Sequence, residues 1–247
     1  MKIIISPAKQ MQIDTETAYG ALPRFLDRTK VLLEILQSMS LPELQKLWGC
    51  NDTLAKQNYE RITNMQLEKN LTPAVLAYVG LQYTHMGPRV LDEAAWRYLC
   101  NNLRILSGFY GILRADDGVT PYRLEMQTRF TTEKFKTLYN YWERSIYYAL
   151  IEDDNTILNL ASKEYSKAIE RYVEPRVRMV TCVFGCATED GQYKVKATEA
   201  KMARGSMVRW CAEHNVQHPE EVQAFADYGY SFQPQLSTTT EYVFIKA

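Results

Sequence analysis

Short runs of β-branched and aliphatic residues alternate along this chain with longer stretches whose apolar positions recur every three or four residues, the mark of strands interleaved with helices. Lys2 to Ile5 reads as a buried strand, because β-branched residues pack well on a pleated surface and Pro7 then removes a ladder donor. From Pro23 to Met39, residues Phe25, Leu26, Leu32, Leu33 and Leu36 recur at helical spacing, with proline at the start where its missing N–H costs nothing. Ser40 and Glu43 have capping-box spacing ahead of Leu44 and Leu47, and Asn51 or Asp52 is placed to cap a helix running towards Ile62. After Pro88, residues Val90, Leu91, Ala94, Tyr98 and Leu99 share one side of a further helix. The broadest apolar stripe, from Phe135 through Leu138, Trp142 and Ile146 to Leu150, predicts one helix between Thr132 and Glu152.

Thr156 to Leu160 predicts a strand, with Ser162 placed to cap the short helix that follows. Arg178 to Cys186 and Gln192 to Lys196 predict a hairpin around Glu189–Asp190–Gly191, and Glu241 to Lys246 a last strand. No repeat, low-complexity tract or Pro/Gly/Ser-rich linker interrupts the pattern, which favours a single α/β (mixed α+β) domain over residues 1–247.

Composition narrows the function classes. Of 247 residues, 46% are hydrophobic and 23% charged, as in an ordinary globular protein, and Lys plus Arg equals Asp plus Glu at 29 each. With zero net charge no global field draws the molecule to a polyanion, so any anion site must be a local cluster. The opening Met1–Lys9 stretch is too short in apolar residues for a signal peptide or a membrane span, which predicts a cytoplasmic protein without a membrane partner. Five cysteines, an odd number, fit reduced thiols better than a disulfide framework.

Several charged residues are candidates for chemistry. Lys9 follows the first strand, where open α/β sheets place ligand-contacting groups, although a solvated lysine is the plainer reading. In the extended Pro121–Met126 segment, Tyr122, Leu124 and Met126 face one way and Arg123 and Glu125 the other. Arg123 could grip an oxyanion and Glu125 orient it or act as a base, or the two could form a plain ion pair. On a helix beginning near Ala200, Lys201, Arg204 and Val208 share one face and Ala203, Met207 and Trp210 turn to the core, so the two cations project together near the helix N-terminus. Asn159, Ser162, Lys163 and Tyr165 supply donors at a strand-to-helix junction; Ser162 has no histidine partner in the sequence that would make it a nucleophile. Leu103 to Ser107 reads locally as a strand, with Gly108 starting a turn that lines a pocket. Cys182 and Cys186 lack CxxC spacing, and His214 and His218, although at helical i, i+4 spacing, are followed by Pro219 and lack an HExxH-type glutamate, so neither a metal nor another cofactor is expected.

Five separated segments carry a resemblance: Ile5–Ser6–Pro7–Ala8–Lys9, Leu106 to Arg114 (LSGFYGILR), Pro121 to Met126 (PYRLEM), Asn159 to Tyr165 (NLASKEY) and Lys201 to Gly205 (KMARG). In this order they resemble the YaaA family (UPF0246, DUF328), bacterial cytoplasmic proteins associated with peroxide stress. The resemblance implies a compact "cannonball" fold with a helix-hairpin-helix element, a positively charged cleft, a role in limiting oxidative DNA damage, and DNA as partner. It also implies a second reading of the Leu106–Arg114 segment, in which Gly108 and Gly111 let the backbone turn between helices and expose amides to a DNA phosphate while Arg114 adds charge. The chain departs from the family pattern at Tyr78–Tyr83 (YVGLQY), where relatives have a Phe-Lys-Gly-Asp-Val-Tyr run, at Gln127 for glycine, at Met202 for lysine, and at Ala115–Gly118 in place of a proline-containing turn.

Two functions follow as expectations. The first is a DNA-binding protein of the peroxide-stress response that contacts phosphates through a basic cleft of Lys9, Gly108, Gly111, Arg114, Arg123, Glu125, Ser162, Lys201 and Arg204. The alternative is an enzyme acting on a nucleotide, nucleoside or other small anionic ligand in the same cleft. An iron-handling role ranks last, for want of a His, Cys and carboxylate cluster. A closed, narrow pocket favours the second reading and an open basic trough the first.

Overall fold

Ile3, Ile4 and Ile5 are fully buried, as a strand covered on both faces requires, and they form the middle of an eight-stranded sheet. The computed structural model describes residues 1–189 and 192–246. The first half of the chain runs β1 (Lys2–Ile5), β2 (Gln10–Met11), α1 (Leu26–Gln37), α2 (Leu41–Trp48), α3 (Asp52–Thr63), β3 (Thr72–Pro73), α4 (Ala74–Ala77), β4 (Tyr78–Val79), α5 (Leu81–Met86) and α6 (Glu93–Asn102). Next come β5 (Leu103–Ser107), β6 (Gly111–Arg114), β7 (Gly118–Val119), α7 (Leu138–Trp142), α8 (Ser145–Leu150), β8 (Thr156–Asn159) and α9 (Lys163–Glu170). The remainder is β9 (Arg178–Ala187), β10 (Tyr193–Lys194), α10 (Ala197–Glu213), β11 (Tyr230–Phe232) and β12 (Glu241–Lys246).

Across the main sheet the order is β11-β12-β9-β8-β1-β5-β6, with β10 hydrogen-bonded to β9. The strands β12, β9, β8, β1 and β5 are mutually parallel, and the antiparallel β6 and β11 close the two edges. From β1 the chain crosses to β5 on one side; from β8, on β1's other side, it moves away to β9. The crevice beyond the carboxyl ends of β1 and β8 is therefore a topological switch point, the place where such sheets leave room for a ligand.

Most predicted elements are present. Ser40 and Glu43 form a reciprocal capping box on α2, Asn51 accepts from the Leu54 N–H to cap α3, and β9 pairs with β10 at Ala187–Tyr193 and Cys186–Lys194. Asp190 and Gly191 of the predicted turn lie outside the described residues. The helix after Pro88 starts later than the apolar pattern suggests: Asp92 caps α6 through the Ala95 N–H, and Val90 is left 71% exposed in a separate turn.

Two expectations are corrected. The helix predicted between Thr132 and Glu152 is broken, because Thr137 caps α7 at its start and Glu143, at φ +45°, ends it before α8 begins. Leu138, Trp142, Ile146 and Leu150 nonetheless remain buried, so the stripe marks the core face of two short helices rather than one long one. The Leu106–Arg114 segment is no turn between helices. It is a β-hairpin in which Ile105 faces Leu113 and Ser107 faces Gly111, and the Ser107 hydroxyl accepts from the N–H groups of Phe109 and Tyr110 to hold the bend.

Candidate anion-binding crevice

The chain leaves β1 at Ser6 and β8 at Asn159, and both exits are fixed by side chains rather than by further pairing. The Ser6 hydroxyl accepts from the Ser162 N–H at 2.8 Å and donates to the Ser162 hydroxyl at 3.1 Å. Ser162 thus occupies the cap position of α9 without capping it: its side chain is engaged with the neighbouring strand. Asn159 accepts from the Ala161 N–H and donates to Thr181, which shapes the turn into α9. The Ser6 carbonyl accepts from the Tyr83 hydroxyl at 3.0 Å, and so α5 is tied to the same corner.

Around this corner lies a cavity of about 410 Å³, within the range of small-molecule sites. Ser6, Ser162 and Tyr83 line it. Lys9, Arg123, Lys201 and Arg204 bring positive charge to its walls, and Glu125 and Glu164 bring negative charge. Lys9 pairs with Glu125 at 2.8 Å, and Arg123 approaches the other Glu125 oxygen at 3.5 Å. Glu125 therefore offsets part of two cations, one of them, Lys9, exposed to solvent and the other, Arg123, largely buried.

The two cations of α10 are different. Neither Lys201 nor Arg204 forms an ion pair among the described residues, and the Nε of Arg204 is buried without an acceptor, as is that of Arg123. Burial lowers the Arg204 pKa, and the sulfur that acts on it is the thiol of Cys182. That thiol is itself pushed upward by burial, so it stays neutral and supplies no counter-charge. A half-buried guanidinium whose Nε lacks an acceptor costs free energy, and the fold retains it at the cavity lining.

Helix α10 can deliver these groups because Gly205 lets it lie against α5. A Cβ at Gly205 would stand 2.0 Å from the Gln82 carbonyl oxygen. Glu164 also lines the cavity and forms no ion pair among the described residues, and one of its oxygens accepts from the Gln127 N–H at 3.2 Å. Burial raises its pKa first and the nearby Glu125 adds to the rise, while the backbone N–H bonds and the Lys9 ammonium oppose it. The buried Tyr122 hydroxyl bonds to Ser107 at 2.6 Å and to Tyr78 at 2.8 Å, and burial keeps it and Tyr165 protonated.

Of the residues singled out in the sequence, Lys9, Arg123, Glu125, Ser162, Lys201 and Arg204 come together in this cavity. Gly108, Gly111 and Arg114 do not. Gly108 is buried under the Leu124–Met126 backbone, which its missing Cβ would meet at 2.5 Å; it supports the segment carrying Arg123 and Glu125, which lies outside any strand, and is not among the residues that line the cavity. Gly111, at φ +77°, is buried against the Trp142 ring. Arg114 pairs with Asp116 at 3.4 Å and sits opposite Arg104, at the amino end of β5 and the far end of the sheet from Lys9. Ser6, Tyr83 and Glu164 were missed as site residues. Ser6 and Glu164 lie inside the segments that carried the family resemblance, and Ser6 directly follows the first parallel strand, which was the available signal.

Fold and cavity together define a class: a mixed α/β protein with a cation-lined crevice at the switch point of a mainly parallel sheet. The chain belongs to the family described as peroxide stress protein YaaA, whose profile matches residues 1–236. It is 50% identical to a UPF0246 protein of Ligilactobacillus salivarius over all of both chains. It is 49% identical to one of Lachnoclostridium phytofermentans over all of this chain and 96% of the relative, and 46% identical to one of Agathobacter rectalis over 99% and 98%. The family ties the protein to the response to peroxide.

Proposed function

We propose that the protein serves the peroxide-stress response by binding, in the β1/β8 crevice, a ligand of nucleotide size that bears a phosphate or carboxylate. The observation that carries this reading is the pair Lys201 and Arg204, two cations without an anionic partner among the described residues, on the wall of a cavity of about 410 Å³. An oxyanion there would supply the counter-charge that the fold withholds, and a guanidinium is suited to holding it bidentately.

A second reading, phosphate contact with DNA, has its own support. A shallower groove lined by Arg129, Lys136, Lys163 and Lys167 adjoins the crevice across Glu164, so a strand seated in one could continue into the other. Titration with a nucleoside monophosphate, and with duplex and bubble-containing DNA over a range of salt, separates the two. The crevice reading expects saturable one-to-one binding of the mononucleotide. The DNA reading expects tighter binding of the polymer that weakens steeply as salt rises. Absence of binding by all of them at low salt would defeat both. The cell-level role is tested by peroxide survival of a strain carrying Arg204→Met, which the proposal expects to be reduced.

A further inference from the structure

The crevice is lined by two unlike sets of charged groups. Lys201 and Arg204 stand on α10 without carboxylate partners, whereas Glu164, in the first turn of α9, lacks a cationic one among the described residues. The cations nearest to Glu164 in the chain and in the cavity are already engaged: Lys163 pairs with Glu170 and Lys9 with Glu125. Hydrogen bonds from backbone N–H groups of Gln127 and Met126 reach the Glu164 carboxylate, but they supply no charge. The fold therefore leaves Arg204 and the exposed Lys201 without ion pairs among the described residues in the same cavity as Glu164, which Lys9 compensates only in part because it is itself paired with Glu125.

We propose that the crevice recognises a bipolar ligand, one whose phosphate or carboxylate meets Lys201 and Arg204 and whose N–H-rich end, an ammonium or the amidine edge of a nucleobase, meets Glu164. This rests on the anion-binding reading above and adds a requirement to it. Recognition of an anion alone needs only the α10 wall. A carboxylate in the same cavity repels a simple anion and lowers its affinity unless the ligand also brings donors, so Glu164 acts as a selectivity element against phosphate itself. A site built to hydrogen-bond a donor discriminates strongly against the analogue lacking it, because its own acceptor is then left unpaired.

The test compares two pairs of compounds, each differing in the donor end: guanosine monophosphate with ribose 5-phosphate, and phosphoethanolamine with ethyl phosphate. Each is titrated calorimetrically into the full-length protein and into Glu164→Gln. In at least one pair the donor-bearing member is expected to bind about tenfold or more tightly than its partner. In Glu164→Gln that preference is expected to shrink to roughly threefold or less, while the partner's affinity is kept or improved because the repelling charge is gone. The pair that shows the preference identifies the donor, nucleobase edge or ammonium. The inference is overturned if the four compounds bind without preference in both pairs, or if the preference survives unchanged in Glu164→Gln. If none of them binds, the anion site itself is wrong. A folding defect in Glu164→Gln would show as lost affinity for ethyl phosphate and ribose 5-phosphate as well, and Glu164→Asp, which keeps the charge, is expected to retain the preference.

Discussion

Ser6 and Ser162, 156 positions apart, are joined by two hydrogen bonds that clasp the carboxyl ends of β1 and β8. Everything in the crevice is arranged about that clasp, since Lys9 leaves from one side of it and α9, with Glu164, from the other.

The two serines are not equivalent. Ser6→Ala strands the Ser162 N–H without its acceptor, and its expected cost is about 1–3 kcal/mol. Ser162→Ala removes only a hydroxyl that accepts from Ser6, and its expected cost is about 0.5–1.5 kcal/mol. Equilibrium urea unfolding checks the order, and a larger loss for Ser162→Ala would count against the clasp as described.

Gly205→Ala tests how α10 is seated. In an isolated helix the change would gain about 1 kcal/mol from propensity. Here the new methyl meets the Gln82 backbone oxygen at 2.0 Å, which no side-chain rotation relieves, so the helices must part. A net loss of about 1–3 kcal/mol is expected, together with weaker ligand binding as Lys201 and Arg204 shift. Thermal unfolding and a mononucleotide titration read the two effects.

Asp117 supplies a pH dependence unrelated to the crevice. Burial lifts its pKa from 3.8 to about 7, against the pull of the Arg114 N–H bond and of Arg114 and Arg104, with Asp116 adding to the rise. A carboxyl whose pKa is higher folded than unfolded binds more protons in the native state. Its stabilising contribution is therefore full below about pH 4 and is lost as the pH climbs towards about 7, by at most roughly 4 kcal/mol. Asp117→Asn is expected to flatten the stability profile in that window. An unchanged slope in urea unfolding between pH 4.5 and pH 7, values set by the pKa rise, would contradict the assignment.

How far the chain could be read in advance follows from where each feature's cause lies. The Ile3–Ile5 run, the Ser40–Glu43 box and the alternation of Tyr122, Leu124 and Met126 with Arg123 and Glu125 are local, and each is visible in a few residues. The break at Glu143 was not legible, because the apolar stripe is continuous through it and only tertiary packing around Trp142, whose indole N–H donates to Gly108, decides where the backbone turns. Arg114 shows the limit for the site. Its sequence neighbourhood matched the family, yet the β5–β6 hairpin carries it to the opposite end of the sheet. Conversely, the pairing of Ser6 with Ser162 depends on strand order, which no local pattern encodes.

Arg204 is expected to trade stability for binding. Its guanidinium lacks a carboxylate partner among the described residues and burial disfavours its charge, so Arg204→Met is expected to raise unfolding stability by about 1 kcal/mol or more while weakening anion binding. A destabilised Arg204→Met would mean that the residue holds the fold together rather than the ligand.

The most direct test of the crevice is the affinity for a nucleoside monophosphate, measured by calorimetry in Lys201→Met/Arg204→Met and in Arg114→Gln side by side with the unaltered protein. The account predicts a loss of about a hundredfold or more in the double variant, corresponding to two charge-assisted contacts of about 1.5–3 kcal/mol each, and no change in Arg114→Gln. Equal affinity in the double variant, or a comparable loss in Arg114→Gln, would contradict it.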